Sequence, residues 1–213
     1  SAIGFVCPRL AQRTDSLARR LAGHLAQKPR LNHPIHGDFY AKQVLINGDA
    51  VAILDLDQAL LGDPAIDLGL FIAHLERDAL RGDLSRSKVE SLQGALLEGY
   101  RVGTQRLIPA RVELSTATGL LRLASDPFRY REPDWPQRIE AILERTEVIL
   151  GTAPTRAPVC HGVALGAGGK GSRRPSIPVS DPFDVANDSK MPFLARALDP
   201  LETERLFEHR LPR

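Results

Sequence analysis

Between positions 36 and 67 the chain gathers His36, Asp38, Gln43, Asp55, Asp57, Asp63 and Asp67. Carboxylates and an amide carbonyl are hard oxygen donors. Such a set suits Mg2+, which binds few protein groups and takes its remaining ligands from water and phosphate. A further carboxylate at the same place can orient an attacking hydroxyl. Together these are the parts that phosphoryl transfer needs, because its catalysis is mostly positioning and charge neutralisation.

The elements around these residues decide whether they can meet. VLIN-GD-AVAIL reads as a tight hairpin, with two β-rich runs flanking Asn47-Gly48, a dipeptide that tolerates the positive φ of such turns. Its strands run antiparallel, so the start of one lies beside the end of the other. Asp38 and Gln43 precede the first strand and Asp55 closes the second. All three are therefore expected at one end of the hairpin.

Helices make up most of the rest. Leu10, Leu17, Leu21 and Leu25 recur at helical spacing over about residues 9–28, and Pro29 ends that run. After Asp63-Pro64, AIDLGLFIAHL reads as a core helix. Val89, Leu92, Leu96 and Tyr100 mark another, preceded by capping-type serines. A fourth is expected over about 110–124, and Ile139, Ile142, Thr146 and Ile149 mark a fifth. The expected architecture is mainly α with a small β-hairpin.

HGDFYAKQVL resembles the catalytic loop of the aminoglycoside phosphotransferase and choline kinase group, whose pattern is HGD, four residues, then Asn and an apolar strand. ILDLDQALLGDPAIDL is similar to that family's metal-binding segment, a strand ending in Asp followed by GDPxxDL. The resemblance implies that Asp38 is the catalytic base, and that Gln43 and Asp55 are metal ligands. It implies that His36 and Asp67 brace the loop, and it makes ATP and Mg2+ the cofactors and a small hydroxyl-bearing molecule the substrate. Gln43 departs from the family's Asn by one methylene, which keeps the carbonyl donor and alters the geometry. The implied fold is the C-terminal lobe of a protein-kinase-like protein, without the N-terminal β lobe. No lysine-bearing run of strands precedes His36. That lobe is expected from a parent protein or another chain, and without it the chain is expected to be inactive alone or to act as a non-catalytic binding module.

Blander readings apply to several residues. Asp49 and Asp63 fit turn or capping roles, and Asp57 is either a supporting group or simply solvated. His33 and His36 flank a proline in HPIH and lack a third soft ligand, so zinc is not expected. ILDLDQALLGD also resembles the first motif of haloacid-dehalogenase-type phosphatases, with Asp55 as nucleophile and Asp57 as acid/base. Ala59 stands where that motif has threonine. VALGAGGKGS holds a formal G-x-G-x-x-G at Gly166, Gly168 and Gly171, but Ser172-Arg173-Arg174-Pro175 is a poor helix start for a phosphate site.

The bulk properties exclude other classes. A net charge of +2 gives no electrostatic footprint for nucleic acid. No apolar run approaches the roughly 18 residues of a membrane span. Cys7 and Cys160 lack metal spacing and read as plain thiols in a reducing, cytoplasmic setting. The expected organisation is a catalytic lobe over 1–151, a Gly/Pro/Ser-rich linker over 152–183, and a short helical segment over 184–213 that opens another module. The chain starts at Ser1 and its sole methionine is Met191, so it is expected to begin part-way through a larger parent.

Overall fold

The computed structural model describes residues 2–27 and 30–152. A short helix α1 (Ala2–Val6) and a 3-10 turn lead into α2 (Ala11–Ala26). Strand β1 (His33–Ile35) follows, then the hairpin β2 (Val44–Asn47) and β3 (Ala50–Ile53), then β4 (Leu60–Gly62). Five helices complete the described residues: α3 (Ala65–Arg81), α4 (Arg86–Thr104), α5 (Val112–Leu123), α6 (Asp126–Arg129) and α7 (Trp135–Thr152). The architecture is mainly helical with two small antiparallel ladders. The proposed linker, the glycine-rich segment at 166–171 and the C-terminal helical segment lie outside the described residues, as does Pro29.

The expected hairpin forms, with Val44 opposite Ile53 and Asn47 opposite Ala50. Asn47 stays in its strand, and of the two turn residues only Gly48 takes a positive φ, of 58°. The second ladder, β1 with β4, pairs His33 with Gly62. It joins segments far apart in sequence, each only three residues long, and neither carries a turn signal that would reveal it. α1, of five residues, and α6, of four, were likewise not expected.

α3 is buried on nearly every side, which is why its sequence is apolar almost without period. Leu68, Phe71, Ile72 and Leu75 pack with Val89, Leu92 and Leu96 of α4, while Ala73 faces a second core shared by α2, α5 and α7. Its crossing with α5 is unusually close because glycines stand there. A Cβ on Gly69 would lie 2.6 Å from the Thr116 nitrogen, and one on Gly119 would lie 2.8 Å from Ala73 Cβ. In α7, Ile139, Ile142 and Leu143 enter the core, and buried Thr146 satisfies its hydroxyl by donating to the Ile142 carbonyl at 2.8 Å.

One buried charge ties three helices. Glu76 of α3 accepts two 2.8 Å bonds from Arg145 of α7 and a further bond from Arg86 of α4. Burial pushes the Glu76 carboxyl up, but the bonds from Arg145 and Arg86 outweigh it and hold the group below its ordinary value of 4.5. A carboxyl lowered in the folded state stabilises above its unfolded pKa and loses that contribution as pH falls through the folded one.

Two outcomes follow. Gly69→Ala should lower the unfolding free energy in urea by about 2 kcal/mol, since the new methyl meets α5 backbone rather than a movable side chain. Glu76→Gln should cost about 2 kcal/mol at neutral pH, with the gap to wild type closing below about pH 4; a pH-independent gap would contradict the role given to the charge.

Candidate active site

The HGD loop is held by one face of α3. Asp67, in that helix's first turn, accepts the His36 amide at 2.6 Å through Oδ2 and the Gly37 amide at 2.9 Å through Oδ1. A carboxylate with two backbone donors makes strong, charge-assisted bonds, and its place at a helix N-terminus favours the negative charge. Phe71 packs its ring 5.2 Å from that of Phe39, and His74 stacks on Tyr40 at 4.4 Å. Asp67, Phe71 and His74 follow i, i+4, i+7 spacing and so share a stripe. Residues on both sides of Asp38 are thus fixed by the same helix.

His36 adds a cross-brace. Its buried ring accepts the Asp38 amide at Nδ1 (3.3 Å) and lies 2.7 Å from the Leu54 carbonyl at Nε2. That pattern requires the proton on Nε2. The ring therefore links the loop to the residue before Asp55. Gly37 is needed between them: its φ is 85°, and a Cβ there would run into the Gln58 carbonyl.

Gln43 and Asp55 meet at the hairpin base. Gln43 Nε2 donates to Asp55 Oδ2 at 3.0 Å, and the Leu54 amide donates to the Gln43 carbonyl at 2.8 Å. Gln43 is buried, and Asp55 is exposed in the left-handed region with φ 61° and ψ 59°. The amide oxygen of Gln43 and Oδ1 of Asp55 accept no other bond among the described residues. The Gln43–Asp55 bond sets the amide nitrogen, not its oxygen, against the carboxylate; turning the amide over would pair its oxygen with Asp55 as two hard donors of the kind Mg2+ takes. No group of three or more His, Cys, Asp or Glu residues that could hold a metal occurs among the described residues.

Asp38 does not bond to that pair. Its Oδ1 accepts from Arg122 Nη2 of α5 at 2.9 Å. Tyr40 lies in the fields of both carboxylates: burial first, then the charge on Asp38, with smaller contributions from Tyr130 and Asp55, push its phenol up. The neighbouring His74 imidazole is pushed down to about 3 by burial, then by Arg77, Arg122 and Lys42, so it is neutral at any ordinary pH.

The remaining acidic residues separate. Asp63 accepts the Ala65 amide at 3.0 Å and faces Arg111 at 3.5 Å, both side chains buried. It holds the start of α3 and touches neither Asp38 nor Asp55. Asp57 is exposed on a 3-10 turn. Tyr40, His74 and Arg122 were missed by sequence reasoning. Tyr40 adjoins the HGD motif and was within reach; the other two are isolated in sequence and join the loop only through helix packing.

A helical lobe bearing an acidic loop against a hairpin defines a kinase-like phosphotransferase architecture. The chain belongs to the APH phosphotransferase enzyme family, whose pattern matches residues 5–113. No curated protein matches it. A similar solved structure is a thermostable mutant of aminoglycoside phosphotransferase APH(4)-Ia, in ternary complex with AMP-PNP and hygromycin B. The TM-score is 0.45 at 15% identity, covering 68% of this chain and 46% of that one. The chain thus spans about half the length of that protein. Among the described residues, no helix is long and apolar enough to cross a membrane.

Asp67→Ala should cost about 3 kcal/mol by leaving two backbone donors unpaired, and should speed hydrogen exchange at the His36 and Gly37 amides. Asp57→Ala, by contrast, should stay within about 0.5 kcal/mol of wild type. Equal effects would mean that the α3 face does not hold the loop.

Proposed function

We propose that the chain is the catalytic lobe of an ATP- and Mg2+-dependent kinase that phosphorylates a small-molecule hydroxyl. The observation that carries this reading is the hairpin base, where the Gln43 amide meets the Asp55 carboxylate while His36 joins the HGD loop to the same strand end. Asp38 accepts the hydrogen bond of the acceptor's hydroxyl and takes its proton as the oxygen bonds to the γ-phosphorus and the bond to ADP breaks. The Asp38–Arg122 pair does not prevent this. The Arg122 side chain is 56% exposed, so the pair is worth about 1 kcal/mol or less and yields to a substrate hydroxyl. Gln43 and Asp55 would hold Mg2+, which when bound neutralises phosphate charge. His36 and Asp67 keep Asp38 in place.

A second reading is favoured by the apolar outer surface of the hairpin region. Leu45, Leu54 and Leu56 are between 41% and 59% exposed. Such a patch fits a covering body, supplied by the rest of a parent protein or by another chain, that completes the nucleotide site. On that reading the chain is a binding module until it is covered. The phosphatase alternative finds little support: it needs Asp55 and Asp57 presented by a strand, yet β3 ends at Ile53, Asp55 is left-handed and Asp57 lies on a 3-10 turn.

Incubation with Mg-ATP and a panel of alcohols, sugars and hydroxy acids should give phosphorylated product. Asp38→Ala should lower the rate by about 10³-fold, and Asp55→Ala should abolish the Mg2+ dependence of nucleotide binding. Product formation that survives Asp38→Ala would sink the proposal. Absence of both nucleotide binding and transfer would favour the module reading.

A further inference from the structure

α5 presents more than Arg122 to its surroundings. A cavity of about 680 Å³ lies against it, a size that suits a small organic ligand. One wall is apolar, made by Leu25, Leu31, Leu60, Leu61, Ile66 and Leu70. The facing wall is a polar stripe on α5: Arg111, Ser115, Thr118 and Arg122, spaced so that they share one side of the helix. Exposed Arg30 also lines the space. The charged lining residues are Arg30, Arg111, Arg122 and Asp63, an excess of positive charge.

Two features make this a built site. Arg111 and Asp63 are both more than nine-tenths buried, and Arg111 Nη1 and Asp63 Oδ2 face each other at 3.5 Å without a hydrogen-bond partner. That long contact leaves the Arg111 guanidinium weakly paired beside the cavity it lines, where a ligand anion would add a second partner to its charge. At the other end of the stripe, Arg122 reaches out of the cavity lining to the Asp38 carboxylate. The helical rise between residues 111 and 122 sets these ends about 16 Å apart.

We infer that this cavity is the acceptor site, and that it selects an elongated, apolar molecule with an anionic group, a carboxylate or a phosphate, at the Arg111 end and a hydroxyl at the Asp38 end. A cationic amino-sugar is the wrong charge for this lining. The inference rests on the proposed phosphotransferase reading only in naming which end reacts. The charge and shape selectivity stand on the cavity alone.

The test is calorimetric titration of the full chain with ω-hydroxydecanoate, decanediol and ω-aminodecanol, which share a length and differ in one terminal charge. ω-Hydroxydecyl phosphate in place of the carboxylate distinguishes the two anionic heads. An anionic compound should bind at least tenfold more tightly than the diol, and the amine should bind most weakly. Arg30→Gln, at an exposed position, should reduce the anion preference several-fold, and Thr118→Trp should block all the ligands by filling the space. Equal or tighter binding of the diol or amine, no binding by any of them, or unchanged binding in Thr118→Trp overturns the inference. Anion-selective binding with no phosphate transferred to the bound alcohol would instead overturn the phosphotransferase reading and leave the cavity's selectivity intact.

Discussion

The Asp67 carboxylate, with its two bonds to the His36 and Gly37 amides, is the constraint on which the site depends. A loop whose central side chain stays partly exposed cannot hold that side chain still by burying it. The chain solves this by fixing the neighbours. Asp67 takes the backbone before Asp38, while Phe71 and His74 take the aromatic rings after it. Because all three anchors sit on one stripe of a helix buried in two cores, the loop inherits the rigidity of the most buried element. The partial exposure of Asp38 is thereby compatible with a defined position.

Much of this was legible in the residues, and the boundary has physical causes. The hairpin could be read because turn chemistry is local: Gly48 alone supplies the positive φ, and strand direction then brings Gln43 to Asp55. The long helices were legible because each buries a periodic face. By the same logic, Asp38 was expected beside that pair, yet it turns to Arg122 on α5, 84 residues away, through a helix crossing with no sequence signature. The β1–β4 ladder escaped for a similar reason, being two three-residue segments joined by hydrogen bonds alone. Asp63 and Asp67, four residues apart, look alike as text. One caps a helix against a buried arginine, and the other grips the loop.

The two faces of the hairpin region describe a division of labour. Toward α3, Val44 joins Phe39 and Ala41 against the core. Away from the core, Leu45, Leu54 and Leu56 remain in water. Large apolar side chains grouped on an exposed surface mark places where another surface sits. Asp55 stands between Leu54 and Leu56 of this patch, where a covering body would exclude water and strengthen the charge interactions of the Gln43–Asp55 pair.

The glycine contacts between α3 and α5 also bear on how such a protein can change over generations. Gly69 and Gly119 bring the two helices to backbone contact, so the element that grips the reactive loop and the element that lines the cavity behave as one rigid frame. Yet their working residues are nearly separate: Asp67, Phe71 and His74 serve the loop and Ser115 and Thr118 face the cavity, while Arg122 alone touches both. Mutational drift along the second set alters what fits without disturbing what reacts. A frame of this kind is a natural platform for divergence, in which one unchanged reaction is offered to successive acceptors by rewriting a few positions of a single helix.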